Sequence, residues 1–360
     1  MSEGDLLLFQ RVKHAGYGSR YRDHRQAFDL GALCRSVVGF GGEHKTELIY
    51  LKEPLIAAVI VNWNRQDLLK QAVVSLLNNG WKNLAIIVVD NGSTDGSVDL
   101  IRDIFPDVHL IVNSGNYGFA RANNQGFERA YALGAEYIFL LNNDATVEAG
   151  CLSKLRNYLG THHKVGAVAP YIFYSEKPDV IWFGGGVADL WRGRIGHIGI
   201  RRRFDARRYR EVRCGYLTGC AFLVRTEVVQ KTGGFDPIFG LYSEDVDLSL
   251  KIRRLGWELW AIPQAKVFHQ VSASAGGSTS PFKAYHLGRS TAILMKRYVP
   301  ALSWLALLPL GLLGGIFKSV KLIGRGYSAS AWAMWRGIAA GMFNWLVPIE
   351  FRLGLENSSD

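Results

Sequence analysis

From Leu55 onward, short apolar runs rich in β-branched residues alternate with amphipathic stretches, and this alternation constrains the fold more than any other feature of the chain. Ile56–Val61 precedes an amphipathic stretch from Gln66 to Leu77, and Leu84–Val89 precedes one that ends near Ile104. Val108–Val112 precedes Ala120–Leu133, and Tyr137–Leu141 ends abruptly at Asn142-Asn143-Asp144. Unbroken apolar runs joined by helical stretches are the pattern of strands and crossover helices, so an α/β fold with a mostly parallel sheet is predicted. Ligands of such sheets bind beyond the carboxyl ends of the strands. Asn62, Asp90, Asn113 and Asp144 all stand where a run ends, which predicts a polar crevice along one rim.

The second half is less regular. Val165 to Val271 contains a turn-rich strand region at Trp182–Gly186 and a helix over Glu244–Leu255, and this half is expected to carry acceptor recognition. Tyr298 to Phe317 has no charged residue and is flanked by Lys296 and Arg297 on one side and by Lys318 and Lys321 on the other. Tyr327 to Pro348 is a second apolar stretch, rich in Trp and interrupted only by Arg336. The first is long enough to span a bilayer, although Pro300, Pro309 and the glycines from Gly311 to Gly315 disfavour a regular helix. A span, an interfacial pair and a helical pair packed on the main domain all fit the pattern, with the basic residues favouring the cytoplasmic side. The expected division is an extension over 1–52, a main domain over 53–297 and membrane-associated helices over 298–360. The N-terminus lacks the plan of a secretory signal, so export of the main domain is not expected.

Composition narrows the partners. A 48% hydrophobic, 20% charged chain is that of an ordered protein, and a formal charge of +11 selects anionic partners such as nucleotide phosphates, acidic lipids or nucleic acid. The arginines at 201, 202, 203, 207, 208, 210 and 213 surround Phe204 and Tyr209, either as a solvated loop or as a contact for lipid or diphosphate phosphates. With no aromatic RNA-recognition motif or zinc finger, nucleic acid is not expected. Cys34, Cys151, Cys214 and Cys220 form no CxxC pair and read as free thiols. Asn62-Trp63-Asn64-Arg65 stands where a nicotinamide enzyme would need Gly-x-Gly-x-x-Gly, which excludes that class.

Three carboxylate-bearing segments remain: VVDNGSTDGS, FLLNNDATV and LYSEDVDLSL. Together with VIVNWNR, NSGNYGFARANNQG, TGCAFLVR, GGFDPIFGLYSEDVDLSLKIRRLGW and VFHQ, their order over Leu55–Ser274 resembles the family 2 glycosyltransferases of GT-A fold, including bacterial rhamnosyltransferase-like members. The resemblance implies a GT-A type three-layer α/β/α sandwich. It implies that Asn62, Asn64, Asp90 and Asn143 hold the nucleotide, with Arg121 and Asn123 as further candidates. Asp144, with His269, would bind Mg²⁺ or Mn²⁺ on the donor diphosphate, although Asn142 replaces the first carboxylate of the family's Asp-x-Asp. Asp245, beside Glu244, matches the family's catalytic base.

Each residue also has a plainer reading. Asp90 can cap the following helix, Asp144 can close an Asx turn, and Glu244 and Asp245 can complement a helix N-terminus. His269 can simply be hydrogen-bonded in place. The function implied by the resemblance is inverting transfer from a nucleotide-sugar donor, with dTDP-rhamnose first, to a saccharide or lipid-linked acceptor in bacterial surface polysaccharide synthesis. It would take place at the cytoplasmic face of the inner membrane. The alternative is a non-catalytic sugar-nucleotide or polyanion-binding protein on the same fold.

Overall fold

A computed structural model describes residues 53–271 and 280–343; the extension over 1–52, with Cys34, and the end of the second apolar stretch lie outside the described residues. The first half runs β1 Ile56–Asn62, α1 Gln66–Leu77, β2 Leu84–Asp90, α2 Ser97–Ile104, β3 His109–Val112, α3 Phe119–Ala132 and β4 Tyr137–Leu141. It continues with β5 Ala145–Val147, α4 Cys151–Thr161, β6 Val165–Tyr174, β7 Lys177–Phe183, β8 Gly186–Asp189, β9 Arg194–His197, β10 Val212–Arg213 and β11 Ala221–Arg225. Then come α5 Thr226–Thr232, α6 Glu244–Arg254, β12 Glu258–His269, α7 Pro281–Tyr298, α8 Trp304–Ile323 and α9 Ser328–Phe343.

One mixed sheet has the order β10-β12-β6-β11-β4-β1-β2-β3, with β5 added on β12 and β7 on β6. Strands β1 to β4 are mutually parallel, while β11 runs antiparallel between β4 and β6. Ile56 to Ile60 and Ile138 to Leu141 are all at most 1% exposed. Burial of consecutive residues means that both faces of the sheet are covered, which is why these strands read as unbroken apolar runs. After β3 the chain crosses to the far side of β1, so the order reverses beside β1 and the ends of β1, β2 and β4 share one crevice.

Strand β12 is built in two parts. Its first part pairs with β6 and β10, its last part pairs with β6 and β5, and the register shifts between Ile262 and Lys266. The pairing sets His269 opposite Ala145.

The C-terminal helices differ from expectation in their bounds. The charge-free stretch is cut at Pro300, so α7 ends at Tyr298 and α8 starts at Trp304; α8 then continues through Pro309 to Ile323. Ala301–Ile323 is long and apolar enough to cross a membrane by length and composition, and none of its apolar window is buried. Leu305 and Phe317 are 76% and 74% exposed. Helix α9 instead packs on α7 with backbones in close approach: a Cβ on Gly337 would strike the Tyr285 carbonyl, one on Gly341 that of Arg289, and one on Gly288 that of Met334. Trp335 of α9 covers Gly315 of α8 and donates to Ser319 Oγ at 2.9 Å.

Candidate active site

The first corner of the site is built where β1 and β2 end. Their register sets Asn62 beside Asp90, and Asn62 Nδ2 donates to Asp90 Oδ2 at 3.0 Å. Asp90 Oδ1 accepts the Ser93 backbone N–H at 2.7 Å within the turn after β2, whereas α2 starts only at Ser97 with Gly96 at its N-cap, so Asp90 does not cap that helix. Ser93 Oγ in turn accepts the Asn64 N–H at 2.9 Å, and Asn64 Oδ1 accepts the Thr94 N–H at 2.7 Å. Asn143 reaches across from the end of β4, donating to Asn62 Oδ1 at 2.8 Å. Four of the sequence candidates thus form one hydrogen-bonded floor, with Ser93 as its unforeseen member.

The second corner joins β4 to β12. His269 Nε2 lies 3.1 Å from Asp144 Oδ1, and both residues are buried. The Gln270 N–H donates to the Asp144 carbonyl at 2.9 Å, so the β5–β12 ladder fixes the pair through the backbone. Burial favours the neutral imidazole, but the adjacent Cys220 sulfur and the Asp144 carboxylate, both bonded to the ring, outweigh it and raise the His269 pKa. A cleft of about 330 Å³ opens beside Asp144, lined by Leu68, Gln71, Ser175, Pro178, Phe268 and Gln270 among others.

The third corner is the start of α6. Asp245 Oδ2 accepts the Gly219 N–H at 3.0 Å and its Oδ1 accepts the Val246 N–H at 2.8 Å. The next residue, Cys220, accepts the Asn142 N–H at 2.8 Å through its carbonyl, so the lead into β11 ties Asp245 to the end of β4. Burial raises the Asp245 carboxyl against those backbone bonds, and burial with the adjacent Asp245 charge pushes Glu244 up to about 8. Glu244 Oε2 has no hydrogen-bond partner among the described residues.

Burial of Glu244 makes stability depend on pH. A carboxyl whose folded pKa is raised keeps its proton where the unfolded chain has lost it, so its contribution falls as pH climbs from about 4.5 towards 8. Glu244→Gln, which cannot ionise, is expected to be stabilised relative to wild type by on the order of 2 kcal/mol on going from acid to mildly alkaline buffer. Urea unfolding at both ends of that window measures it; a difference independent of pH would refute it.

Not every predicted residue joins the cluster. Asn123 is 1% exposed and donates to the Phe119 carbonyl at 2.9 Å inside its own helix. Arg121 is exposed and lines a small cavity of about 70 Å³ with Asn116, Gly118 and Pro237. The glycines at 233 and 234 serve as a structural turn that ends α5, with Asn124 bonded to both the N–H and the carbonyl of Phe235. The arginine run is solvated, while its Phe204 and Tyr209 stack at 5.7 Å and both meet Tyr171. Sequence reasoning did not single out the aromatic wall beside the second and third corners. Trp182 lies 4.5 Å from the His269 ring and 4.8 Å from that of His197, and the buried Tyr216 phenol feels the Asp245 charge. The Trp-Phe-Gly-Gly-Gly run was the available signal.

Residues 57–233 match the family model described as glycosyl transferase family 2. The chain is 26% identical over 262 residues to an N-acetylglucosaminyl-diphospho-decaprenol L-rhamnosyltransferase of Mycobacterium tuberculosis, covering 67% of this chain and 84% of that one. It is 24% identical over 250 residues to the O-antigen biosynthesis protein RfbC of Myxococcus xanthus, covering 65% of this chain and 19% of that one. Among solved structures, the mannosyltransferase PcManGT of Pyrobaculum calidifontis with GDP-Man and Mn²⁺ superposes with a TM-score of 0.51 at 14% identity, over 95% of both chains. GalNAc-T7 with UDP, GalNAc and Mn²⁺ gives 0.52 at 19% identity, over 67% of this chain and 48% of that one. At these identities the likeness establishes the fold, which is GT-A. A family match running from β1 to the end of α5, on that fold, means that the chain belongs to glycosyl transferase family 2 and is a glycosyltransferase.

Proposed function

We propose that the enzyme transfers a sugar, with inversion, from a nucleoside diphosphate sugar to a hydroxyl of a saccharide or lipid-linked acceptor in the synthesis of a bacterial surface polysaccharide. The observation that carries this reading is the gathering of a polar floor, a buried carboxylate–imidazole pair and a carboxylate dyad at one rim of the sheet. In this reading Asn62, Asn64, Asp90 and Asn143 hold the nucleoside and Arg121 faces the diphosphate. Asp245 takes the acceptor hydroxyl proton as that oxygen attacks the anomeric carbon, and the bond to the diphosphate breaks on the opposite face with its electron pair leaving on phosphate. Glu244, raised to about 8, holds its proton at neutral pH and so keeps the dyad to a single negative charge.

Asp144 would offer a carboxylate oxygen and His269, once a cation displaces the proton it holds against that carboxylate, an imidazole nitrogen, a donor set that suits Mg²⁺ or Mn²⁺ when phosphates supply further ligands. Among the described residues no three or more His, Cys, Asp and Glu side chains are arranged to hold a metal ion by themselves, in keeping with Asn142 in the first position of the motif. A bound cation would neutralise charge developing on the leaving diphosphate.

The donor dTDP-rhamnose is supported by the rhamnosyltransferase relative, and the same protein's name supports a lipid-diphosphate acceptor. Exposed, apolar α8, with Lys318 and Lys321 in its last turns and Arg325 just beyond it, supports a seat on the cytoplasmic leaflet, with residues 298–360 as the membrane-associated part and 53–297 as the catalytic part. Calorimetric titration with dTDP, UDP, GDP and their sugars, with and without Mn²⁺, tests the reading. Selective binding of one nucleotide, at least about tenfold tighter with metal, is expected. Equal, metal-independent binding of all of them would overturn the assigned site.

A further inference from the structure

Helix α7 lies behind the dyad, outside the family match, and its side chains grip the segment that carries the dyad. Asp247, two residues after Asp245, is fully buried. Its Oδ1 accepts from Arg297 Nη1 at 2.8 Å and from the Tyr298 hydroxyl at 2.7 Å, and its Oδ2 pairs with Lys251 at 2.9 Å. The other terminal nitrogen of Arg297 pairs with Asp236 Oδ2 at 2.8 Å. One guanidinium therefore joins the two ends of the segment 236–247, and it also sits 5.3 Å from the centre of the Phe239 ring. Higher on α7, Ser290 Oγ lies 2.9 Å from the Phe239 carbonyl and 2.6 Å from that of Leu241, and Arg289 donates to the Ile238 carbonyl at 2.7 Å.

The segment so held is strained. Tyr242 and Ser243 have φ of 70° and 66°, a region that non-glycine residues occupy only where their surroundings enforce it. Ser243 is the residue from which α6 starts, so these two dihedrals set the direction in which Glu244 and Asp245 leave the loop. Buried ion pairs do little for net stability, but a planar guanidinium shared by two carboxylates fixes their separation and angle.

We infer that Arg297, with Ser290, is a positioning residue for transfer: α7 holds residues 236–243 in their strained path so that the dyad stays aimed at the acceptor. This rests on the proposed base at Asp245. Both residues act through the loop and α6.

Full-length Arg297→Gln, Arg297→Lys and Ser290→Ala in detergent test it through kcat, nucleotide affinity and backbone hydrogen exchange. Arg297→Gln is expected to lower kcat by about 30- to 100-fold, because small misplacements of reacting groups are costly, with nucleotide affinity within about twofold. Exchange should accelerate across 236–247 and stay unchanged in β1 and β4. Arg297→Lys should recover only part of the rate, since an ammonium cannot span both carboxylates. If Arg297→Gln does not fold, Ser290→Ala, which leaves no buried charge unpaired, should still show the local exchange change with a several-fold loss of kcat. Unchanged kcat in the folded variants, or acceleration spread equally over β1 and β4, would overturn the inference. The exchange pattern does not depend on which carboxylate is the base, whereas turnover by Asp245→Asn tests only that assignment, so the two failures are told apart.

Discussion

Asp245→Asn is expected to lower the rate of sugar transfer roughly 10³-fold while nucleotide affinity changes less than about twofold. The substitution keeps the shape of the side chain, and an amide oxygen can still accept the Gly219 N–H that now meets Asp245 at 3.0 Å. It removes the capacity to accept a proton. The nucleoside floor of Asn62, Asp90 and Asn143 is built from other strands and bonded within itself, so donor binding has no reason to follow. Turnover of a radiolabelled donor, set beside calorimetric nucleotide binding, measures both quantities. A variant turning over within tenfold of wild type would move the base elsewhere, with Glu244 next to be tested.

Gly337→Leu is expected to drive α7 and α9 apart, at a cost of about 3 kcal/mol or more. Even one carbon on Gly337 would meet the Tyr285 carbonyl, and Gly341, one turn on, is in the same position against Arg289. Backbone cannot move aside as a flexible side chain does, so α9 must separate from α7. Because Arg289 and Ser290 of α7 also hold the segment before α6, the damage should reach transfer as well as the helical pair. Thermal unfolding in detergent and limited proteolysis between α8 and α9 measure the outcome. A variant as stable and protease-resistant as wild type would mean that the two helices do not pack as described.

The parallel half of the fold was legible because its information is local. β4 has the bounds its apolar run predicts, and Asn62, Asp90 and Asp144 stand at strand ends because a polar residue closes each run. What escaped reading depends on distant partners. No local pattern says that β12 returns to β5 and sets His269 against Asp144, or that Arg297 reaches Asp247; only the resemblance put His269 with Asp144, and nothing in the sequence hinted at Arg297. The helix position of Asn123 is clear from sequence, but the direction of its amide, towards the Phe119 carbonyl, is not. Gly337 and Gly341 read as apolar composition, since their role lies in the absence of a side chain where two backbones meet.

The divided strand β12 has an implication for how such a site can change over generations. A residue gained or lost within a continuous ladder turns every later side chain to the opposite face. Here the ladder is already interrupted between Ile262 and Lys266, upstream of His269 and downstream of the β10 pairing. The irregular stretch works as an expansion joint. Lineages can lengthen or shorten the outer edge of the sheet, and with it the arginine-rich surface that β10 borders, while the imidazole keeps its place beside Asp144.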